Sequence, residues 1–423
     1  MSAVSFKRTK FACYAAYFTM SSIFCLPPLL FMTLHETYGI SYTLLGTLVL
    51  VNFFTQLSID LVFTVFSKKF NFQKIVKIMP LITSLGLFIY ALIPLCFPNI
   101  AYLGLLLGTV IFSVAAGLSE VLLSPTIAAI PSENPQRDMS LLHSLYAFGV
   151  FTVAVITTVF LKIFGADNWT YLTMFFAVLP VITAVLFMLS PMPNMEENAE
   201  SVSVENTKKR AISFALCVAC IFFGSCAENA MSNWISSYME KSLKIDKAIG
   251  DLLGMAGFAI LLGLTRIGYA KFGKNIMLVL LIGMCGAAVC YLVAGLAPGV
   301  IPAFIACILT GIFTSMLWPG TLIMMEENIP SPGVGAYALM AAGGDFGAAI
   351  SPQLLGIVVD KVSASKLALD LGVKFNLTAE QIGLKAGMLA SSIFPIVGIA
   401  VVLVIMRYFK RNKTDKQNLP LEK

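Results

Sequence analysis

Long apolar stretches recur from one end of the chain to the other, and each is long enough to cross a membrane as a helix. A hydrocarbon layer roughly 30 Å thick is spanned by about 20 helical residues. Hydrophobic residues make up 58% of the chain and charged residues only 12%, whereas soluble proteins average about 25% charged residues. The sequence therefore excludes an ordinary soluble protein and predicts a multi-pass helical membrane protein.

Hydropathy divides the chain into twelve such segments. The most polar stretch of the interior, 191–211, separates the sixth segment from the seventh and ends in the basic run Lys208, Lys209 and Arg210. We therefore predict an all-α membrane protein with two six-helix halves, 1–190 and 212–423, joined by a cytoplasmic linker at 191–211. The twelve segments lie at roughly 9–34, 41–66, 76–97, 100–125, 141–164, 170–190, 212–238, 247–270, 276–296, 300–325, 335–360 and 384–408.

The basic residues predict the orientation of the chain in the membrane. Most of the 28 Lys and Arg residues fall on the side that carries both termini when the segments cross the membrane alternately. Loops rich in Lys and Arg stay in the cytoplasm, so we predict cytoplasmic termini in the cell (inner) membrane. The formal charge of +6 does not indicate a nucleic-acid partner, because the basic residues flank apolar segments.

The sequence contains no pattern typical of a soluble enzyme. The nine cysteines nearly all fall inside apolar segments, where small apolar side chains fill helix contacts. The two histidines are far apart and no phosphate-binding Gly-Lys-Ser/Thr motif occurs. We predict no enzymatic activity, no metal and no cofactor, with transport driven by a proton gradient and sodium as the other possible ion.

Glu120 stands in the middle of the apolar run Ile100 to Pro125, which has no other charge. A charged side chain at the bilayer centre costs about 2.5–3.5 kcal/mol on insertion scales, so such residues usually have a function. Burial would allow this carboxyl group to take up and release a proton near neutral pH. We predict a proton-coupling site, with a structural glutamate that joins two helices as the alternative.

The second segment aligns Asn52, Gln56 and Asp60 on one stripe, because the three residues lie four positions apart. A polar stripe of this kind faces other helices or a water-filled path. We predict that Asp60 takes part in proton coupling and that the two amides contact substrate. Hydrogen bonding between helices is the alternative.

The fifth and seventh segments carry further candidates for substrate contact. His143 and Tyr146 are three positions apart and share one helix face; an interfacial pair is the alternative. The seventh segment holds amides that can pair with hydroxyl groups and an indole ring that can pack on the C–H face of a sugar. The predicted substrate contacts of the seventh segment are Glu228, Asn229, Asn233 and Trp234. For Trp234, a position at the membrane interface is the alternative.

Three candidates come from the remaining segments. Trp318 precedes Pro319 in the tenth segment and predicts a broken or kinked helix with an aromatic substrate contact, or helix packing alone. Asp345 is an isolated acid between glycines in the eleventh segment and is predicted to reach the central cavity. Arg266, at the end of the eighth segment, is predicted to be a gating or interhelical ion-pair residue.

Two stretches carry a resemblance to a known family. Gly117-Leu-Ser-Glu120-Val-Leu-Leu-Ser-Pro125 and His143-Ser-Leu-Tyr146-Ala-Phe-Gly149 resemble helices four and five of the fucose-permease-like sugar:proton symporters, and the whole chain resembles the major facilitator superfamily. The resemblance implies a mid-membrane substrate site between two halves that expose it alternately. It also implies proton coupling at Glu120 and sugar contact at His143 and Tyr146, which replace amides of the family pattern.

One departure from that family affects the functional prediction. The family places an aspartate in helix one, whereas residues 17–34 contain no acid here, so coupling rests on Glu120 or the ion differs. We predict a monomeric proton-coupled symporter of a monosaccharide or related polyol, with the lipid bilayer and a small-molecule substrate as partners. The alternatives are a sodium-coupled sugar or sugar-acid symporter, a drug/proton antiporter, and a non-transporting membrane receptor. In the sugar-acid symporter, His143 or Arg266 would help to neutralise the anion.

Overall fold

The computed structural model describes residues 6–66, 70–133, 135–193, 207–329 and 334–417. Within these ranges the chain is helical and contains no strand. Eleven helices in this part of the chain are long and apolar enough to cross a membrane, and another has a shorter apolar part at Phe148–Phe164. The prediction of an all-α chain with repeated spanning helices is confirmed.

The first half of the chain forms six helices. Its interior is built mainly where α3 packs against α4 and α6, and where α1 packs against α5. Gly39 ends α1 in the left-handed conformation, with φ of 66°, and so allows the tight turn into α2. The helices are α1 Lys7–Tyr38, α2 Tyr42–Phe66, α3 Phe72–Cys96, α4 Ala101–Ala128, α5 Pro135–Phe164 and α6 Trp169–Met188.

The second half also forms six membrane-length segments, of which several are interrupted. α7 begins at Thr207, so the last part of the stretch predicted as linker is helical; the limits of the two halves stay a prediction. The first three segments are α7, which is Thr207–Ser237 with π-helical Tyr238–Ser242; α8, which is Lys247–Ile249 with π-helical Gly250–Met255 and Ala256–Phe272; and α9, Ile276–Leu296. The last three are α10, which is Val300–Thr314 with Leu317–Asn328; α11, Val334–Ser363; and α12, which is Ala379–Ser391 with Ile393–Gln417. A connecting helix, Lys366–Phe375, lies between α11 and α12.

The interruption of α10 has a local cause in Pro319. Proline has no backbone N–H, so the carbonyl group four residues earlier, that of Ser315, loses its helical partner. The first part of α10 ends at Thr314 and the second begins at Leu317. The predicted break near Trp318 is thus confirmed, and it leaves the Ser315 carbonyl oxygen available to another donor.

The two halves meet most extensively where α2 lies against α11. Glycine allows this close approach, because a Cβ at Gly46 would lie 2.9 Å from the Cα of Gln353. We call the end of the bundle that carries the turn 39–41 the α1–α2 end, and the opposite end, which carries Phe6, the termini end. Polar contacts between the halves are concentrated at the α1–α2 end, where Lys241 of α7 pairs with Glu36 of α1. The molecule is therefore closed at the α1–α2 end.

Gly86 provides a test of the packing between α3 and α4. A Cβ at this position would lie 2.5 Å from the backbone nitrogen of Phe112, and such overpacking costs about 1–3 kcal/mol. We expect Gly86→Ala to lower the Tm of the purified protein in detergent. Gly263→Ala in α8 is the matched control, because no atom lies within 4 Å of a Cβ there. Equal Tm values for the two variants would contradict this account of the packing.

Candidate functional site

Three carboxyl groups from both halves converge within the bundle: those of Asp60 in α2, Glu120 in α4 and Asp345 in α11. Asp60 is 5% exposed and Asp345 is 3% exposed, and their side chains interact across the contact between α2 and α11. Glu120 is half-buried and lies within electrostatic range of both. The structure thus brings the two predicted coupling residues together and adds Asp345, which the sequence predicted only as a substrate contact.

The chemistry of this acid cluster follows from the proximity of like charges. Three carboxylates in a medium of low dielectric constant repel one another strongly, so they are not all ionised at the same time. A proton shared between two carboxyl groups turns this repulsion into a hydrogen bond. The cluster of Asp60, Glu120 and Asp345 can therefore hold a proton between carboxyl groups that come from both halves.

The polar stripe of α2 is mostly engaged in contacts within the first half. The Gln56 amide nitrogen donates to the Asn52 side-chain oxygen at 3.0 Å, and the Ser113 hydroxyl of α4 donates to the same oxygen at 2.6 Å. Gln56 is fully buried. These contacts correspond to the interhelical alternative for the two amides, and their assignment as substrate contacts stays a prediction.

Arg266 lies at the centre of a second polar cluster, formed within the second half. Its Nε–H donates to the Ser315 carbonyl oxygen at 2.9 Å, which is the carbonyl group that Pro319 leaves without a helical partner. Its Nη2 lies 3.6 Å from Oε1 of Glu228 in α7. Arg266 thus joins α7, α8 and α10, and its side chain remains 38% exposed.

Tyr146 approaches this cluster from the first half. It is half-buried in α5, lies within electrostatic range of Glu228 and Arg266, and contacts the Phe24 ring edge-on at a centroid distance of 5.8 Å. A phenol of the first half therefore lies near an ion pair of the second half. This juxtaposition offers hydrogen-bond donors and acceptors together with aromatic faces.

Trp318 of α10 packs against the backbone of α11. Its ring occupies the space that a side chain at position 344 would need, so Gly344 allows the indole to pack closely on α11. In α7, the Asn229 amide donates to the Ser225 carbonyl oxygen at 3.1 Å and remains half-buried. Asn233 is largely buried and donates to the Asn229 carbonyl oxygen at 2.9 Å.

Trp234 lies in a different environment from the other predicted substrate contacts. It is fully buried, its indole N–H donates to the Pro352 carbonyl oxygen at 3.1 Å, and its ring packs against those of Phe31 and Tyr42 at centroid distances of 5.3 and 5.7 Å. In this conformation the ring belongs to the closed contact at the α1–α2 end. His143 is a helical residue of α5, and its side chain lies outside the described residues.

Sequence reasoning missed several neighbours of the site on α1 and α2. Tyr17 lies within electrostatic range of Glu120, and the Phe24 and Phe53 rings lie 5.7 Å apart. Residues 11–34 of the first segment carry no charge, so a search for isolated charges and amides passes over them. The free carbonyl group of Ser315 could have been predicted from the sequence, because Ser315 lies four residues before Pro319.

Comparison with known proteins agrees with this architecture. A sequence model of the Major Facilitator Superfamily matches residues 11–352. The chain therefore belongs to this superfamily and is a multi-pass membrane transporter with a small-molecule substrate. A sequence comparison with curated proteins gives no match.

Solved structures share the fold over nearly the whole chain. A bacterial homologue of the human lysosomal transporter Spinster, in an inward-facing and occupied conformation, has a TM-score of 0.76 at 13% identity, covering 95% of this chain and 97% of its own. A D-xylose-proton symporter has a TM-score of 0.73 at 14% identity, and the match covers 92% of this chain and 97% of the symporter. The fucose:proton symporter of E. coli has a TM-score of 0.59 at 14% identity, and the match covers 96% of this chain and 99% of the symporter. The predicted architecture of twelve helices in two halves is confirmed, and identities this low show the fold alone.

The pair formed by Glu228 and Arg266 is tested by a double-mutant cycle. Removing one member leaves the other charge without its partner, so we expect E228Q and R266Q each to lower the Tm in detergent. The double variant should recover part of the loss, with a coupling energy of about 1 kcal/mol because both side chains are partly exposed. Strictly additive effects would show that the two side chains do not interact.

Proposed function

We propose that this member of the superfamily is a proton-coupled symporter that imports a monosaccharide or a related polyol by alternating access. The observation that carries the proposal is the meeting of Asp60, Glu120 and Asp345, from both halves. The protein acts as a carrier and not as an enzyme. It works as a monomer in the cell (inner) membrane, with both termini cytoplasmic and the closed α1–α2 end facing outward.

The acid cluster supplies a physical link between protonation and the movement of the halves. Asp60 and Glu120 belong to the first half and Asp345 belongs to the second. When protons are bound, carboxyl groups can hydrogen-bond across the interface; when protons are lost, the like charges repel and favour separation. Protons therefore have different affinities for the two conformations, which is the requirement for any ligand that drives a conformational change.

The chemistry of the second polar cluster favours a neutral hydroxylated substrate. Arg266 already has Glu228 as its partner, so this cluster carries no unbalanced positive charge for an anionic substrate. Tyr146, Asn229 and the ion pair offer donors and acceptors to hydroxyl groups, and Trp318 offers a face to C–H groups, which together suit a sugar ring. A sodium-coupled symporter, a sugar-acid symporter and a drug/proton antiporter are the competing functions.

The coupling role of Glu120 is tested in proteoliposomes. Glutamine keeps the size of the side chain and removes the titratable proton, so E120Q should abolish net uptake driven by a pH gradient and retain counterflow exchange at equal pH. E133Q is the matched control, because Glu133 is exposed in the loop between α4 and α5, and both activities should be normal. Uptake by E120Q at the parent rate would exclude Glu120 as the coupling residue, and uptake that requires sodium at clamped pH would favour the sodium symporter.

The substrate class is tested by the thermal stability of the purified protein. A ligand that binds the folded state raises the Tm by an amount that grows with the logarithm of its concentration over its Kd. We expect neutral monosaccharides or polyols to raise the Tm, and R266Q to weaken that shift. A shift only with sugar acids or only with cationic drugs would replace the proposed substrate, and binding without counterflow in liposomes would indicate a receptor.

A further inference from the structure

The first turn of α2 is capped by a residue from the opposite half of the protein. The Asp360 carboxylate, near the end of α11, accepts hydrogen bonds from the backbone N–H groups of Tyr42 at 3.1 Å and Thr43 at 2.6 Å. These N–H groups have no partner within their own helix, as is general for the first turn of a helix. We call this arrangement of Asp360 with the two N–H groups the trans cap.

The remaining donor of this turn shows how the capping is divided between the halves. The backbone N–H of Leu44 donates to the Ser41 hydroxyl at 3.2 Å, which is an ordinary cap from the residue that precedes the helix. The first half thus caps one donor of its own helix, and the second half caps the two donors before it. A complete cap therefore exists only while the two halves touch at the α1–α2 end.

Glycine brings the two helices close enough for the trans cap to form. A Cβ at Gly356 would overlap the Tyr42 carbonyl oxygen. Gly356 lies one helical turn before Asp360, so both residues are on the same face of α11. The absence of a side chain at position 356 therefore lets the start of α2 rest on α11 beneath the carboxylate.

Each of the other polar contacts between the halves at this end depends on single side chains; they include those that join Lys241 to Glu36, Lys247 to the Leu29 carbonyl oxygen, and the Tyr42 hydroxyl to Glu380. The Lys241 ammonium pairs with Glu36, which is 57% exposed, and exposed ion pairs contribute little to stability. The trans cap instead joins a carboxylate to two fixed backbone donors at the positive end of a helix, which is among the stronger arrangements for a hydrogen-bonded charge. Among these contacts, Asp360 is thus the best placed to hold the halves together.

We propose that Asp360 is a gating residue that holds the α1–α2 end closed through the trans cap. Rocking the halves apart at this end exposes the carboxylate and the two N–H groups to water, so the trans cap favours the closed conformation and its loss favours the open one. The inference rests on the alternating access proposed above. It does not depend on the identity of the substrate or of the coupling ion.

The test measures the distance between the two halves at the α1–α2 end by pulsed electron paramagnetic resonance. Spin labels are placed at Asp167→Cys, in the exposed turn between α5 and α6, and at Val373→Cys, which is 88% exposed in the connecting helix. The exposed Cys96 and Cys285 are replaced by serine, and the other seven cysteines are buried. The protein is the full chain, reconstituted in lipid nanodiscs without substrate.

We expect D360A to shift the distribution from the short distance toward a longer one. The ratio of open to closed protein should rise by about tenfold, which is within the usual effect of replacing a capping residue with alanine. D360N should have an intermediate effect, because one acceptor oxygen remains. G356A should shift the distribution in the same direction without changing the carboxylate, so the test does not depend on the folding of a single variant.

Two controls separate the trans cap from ordinary helix capping. D246N alters the cap of α8 within the second half, where Asp246 accepts from the Ala248 and Ile249 N–H groups, and S41A removes the cap that α2 receives from its own half. Neither should change the distances. An unchanged distribution in D360A and G356A would overturn the gating role, as would an equal shift in D246N. Failure of the unlabelled parent to take up any substrate would count against the proposed function instead.

Discussion

The contact between α2 and α11 is the interaction on which the organisation of this protein depends. Glycines at positions 46 and 356 let the two helices approach closely from opposite halves. The same contact places Asp60 against Asp345 in the bundle interior and Asp360 against the start of α2 at its end. A single pair of helices thus connects the titratable cluster with the closed end, and a change of spacing along this contact affects both.

The second polar cluster depends on a different constraint, the missing N–H of Pro319. The proline interrupts α10 and leaves the Ser315 carbonyl oxygen for Arg266. The arginine, held by that backbone oxygen and by Glu228, lies within electrostatic range of Tyr146 of the opposite half. A break in one helix is therefore used to orient a cation in the interior, where an unpaired charge would be expensive.

Local patterns were sufficient to predict the helices but not the environment of each polar side chain. Hydropathy located the segments because a helix must be long and apolar enough to cross the bilayer, and isolated acids such as Glu120 and Asp345 indicated the interior cluster. The surroundings of Trp234 could not be predicted, because its burial depends on Phe31 and Tyr42, residues of the other half. Helical spacing assigns residues to a face, whereas the neighbour of that face is set by tertiary packing.

The trans cap is asymmetric in its chemistry, and this has a consequence for how the protein can vary. The two donors are main-chain amides, which every residue except proline supplies, whereas the acceptor is a single side chain. Substitutions at positions 42 and 43 leave the donors in place, so no compensating change at position 360 is needed. Related chains can therefore keep this contact without any correlated pair of residues, and methods that infer contacts from covariation would not detect it.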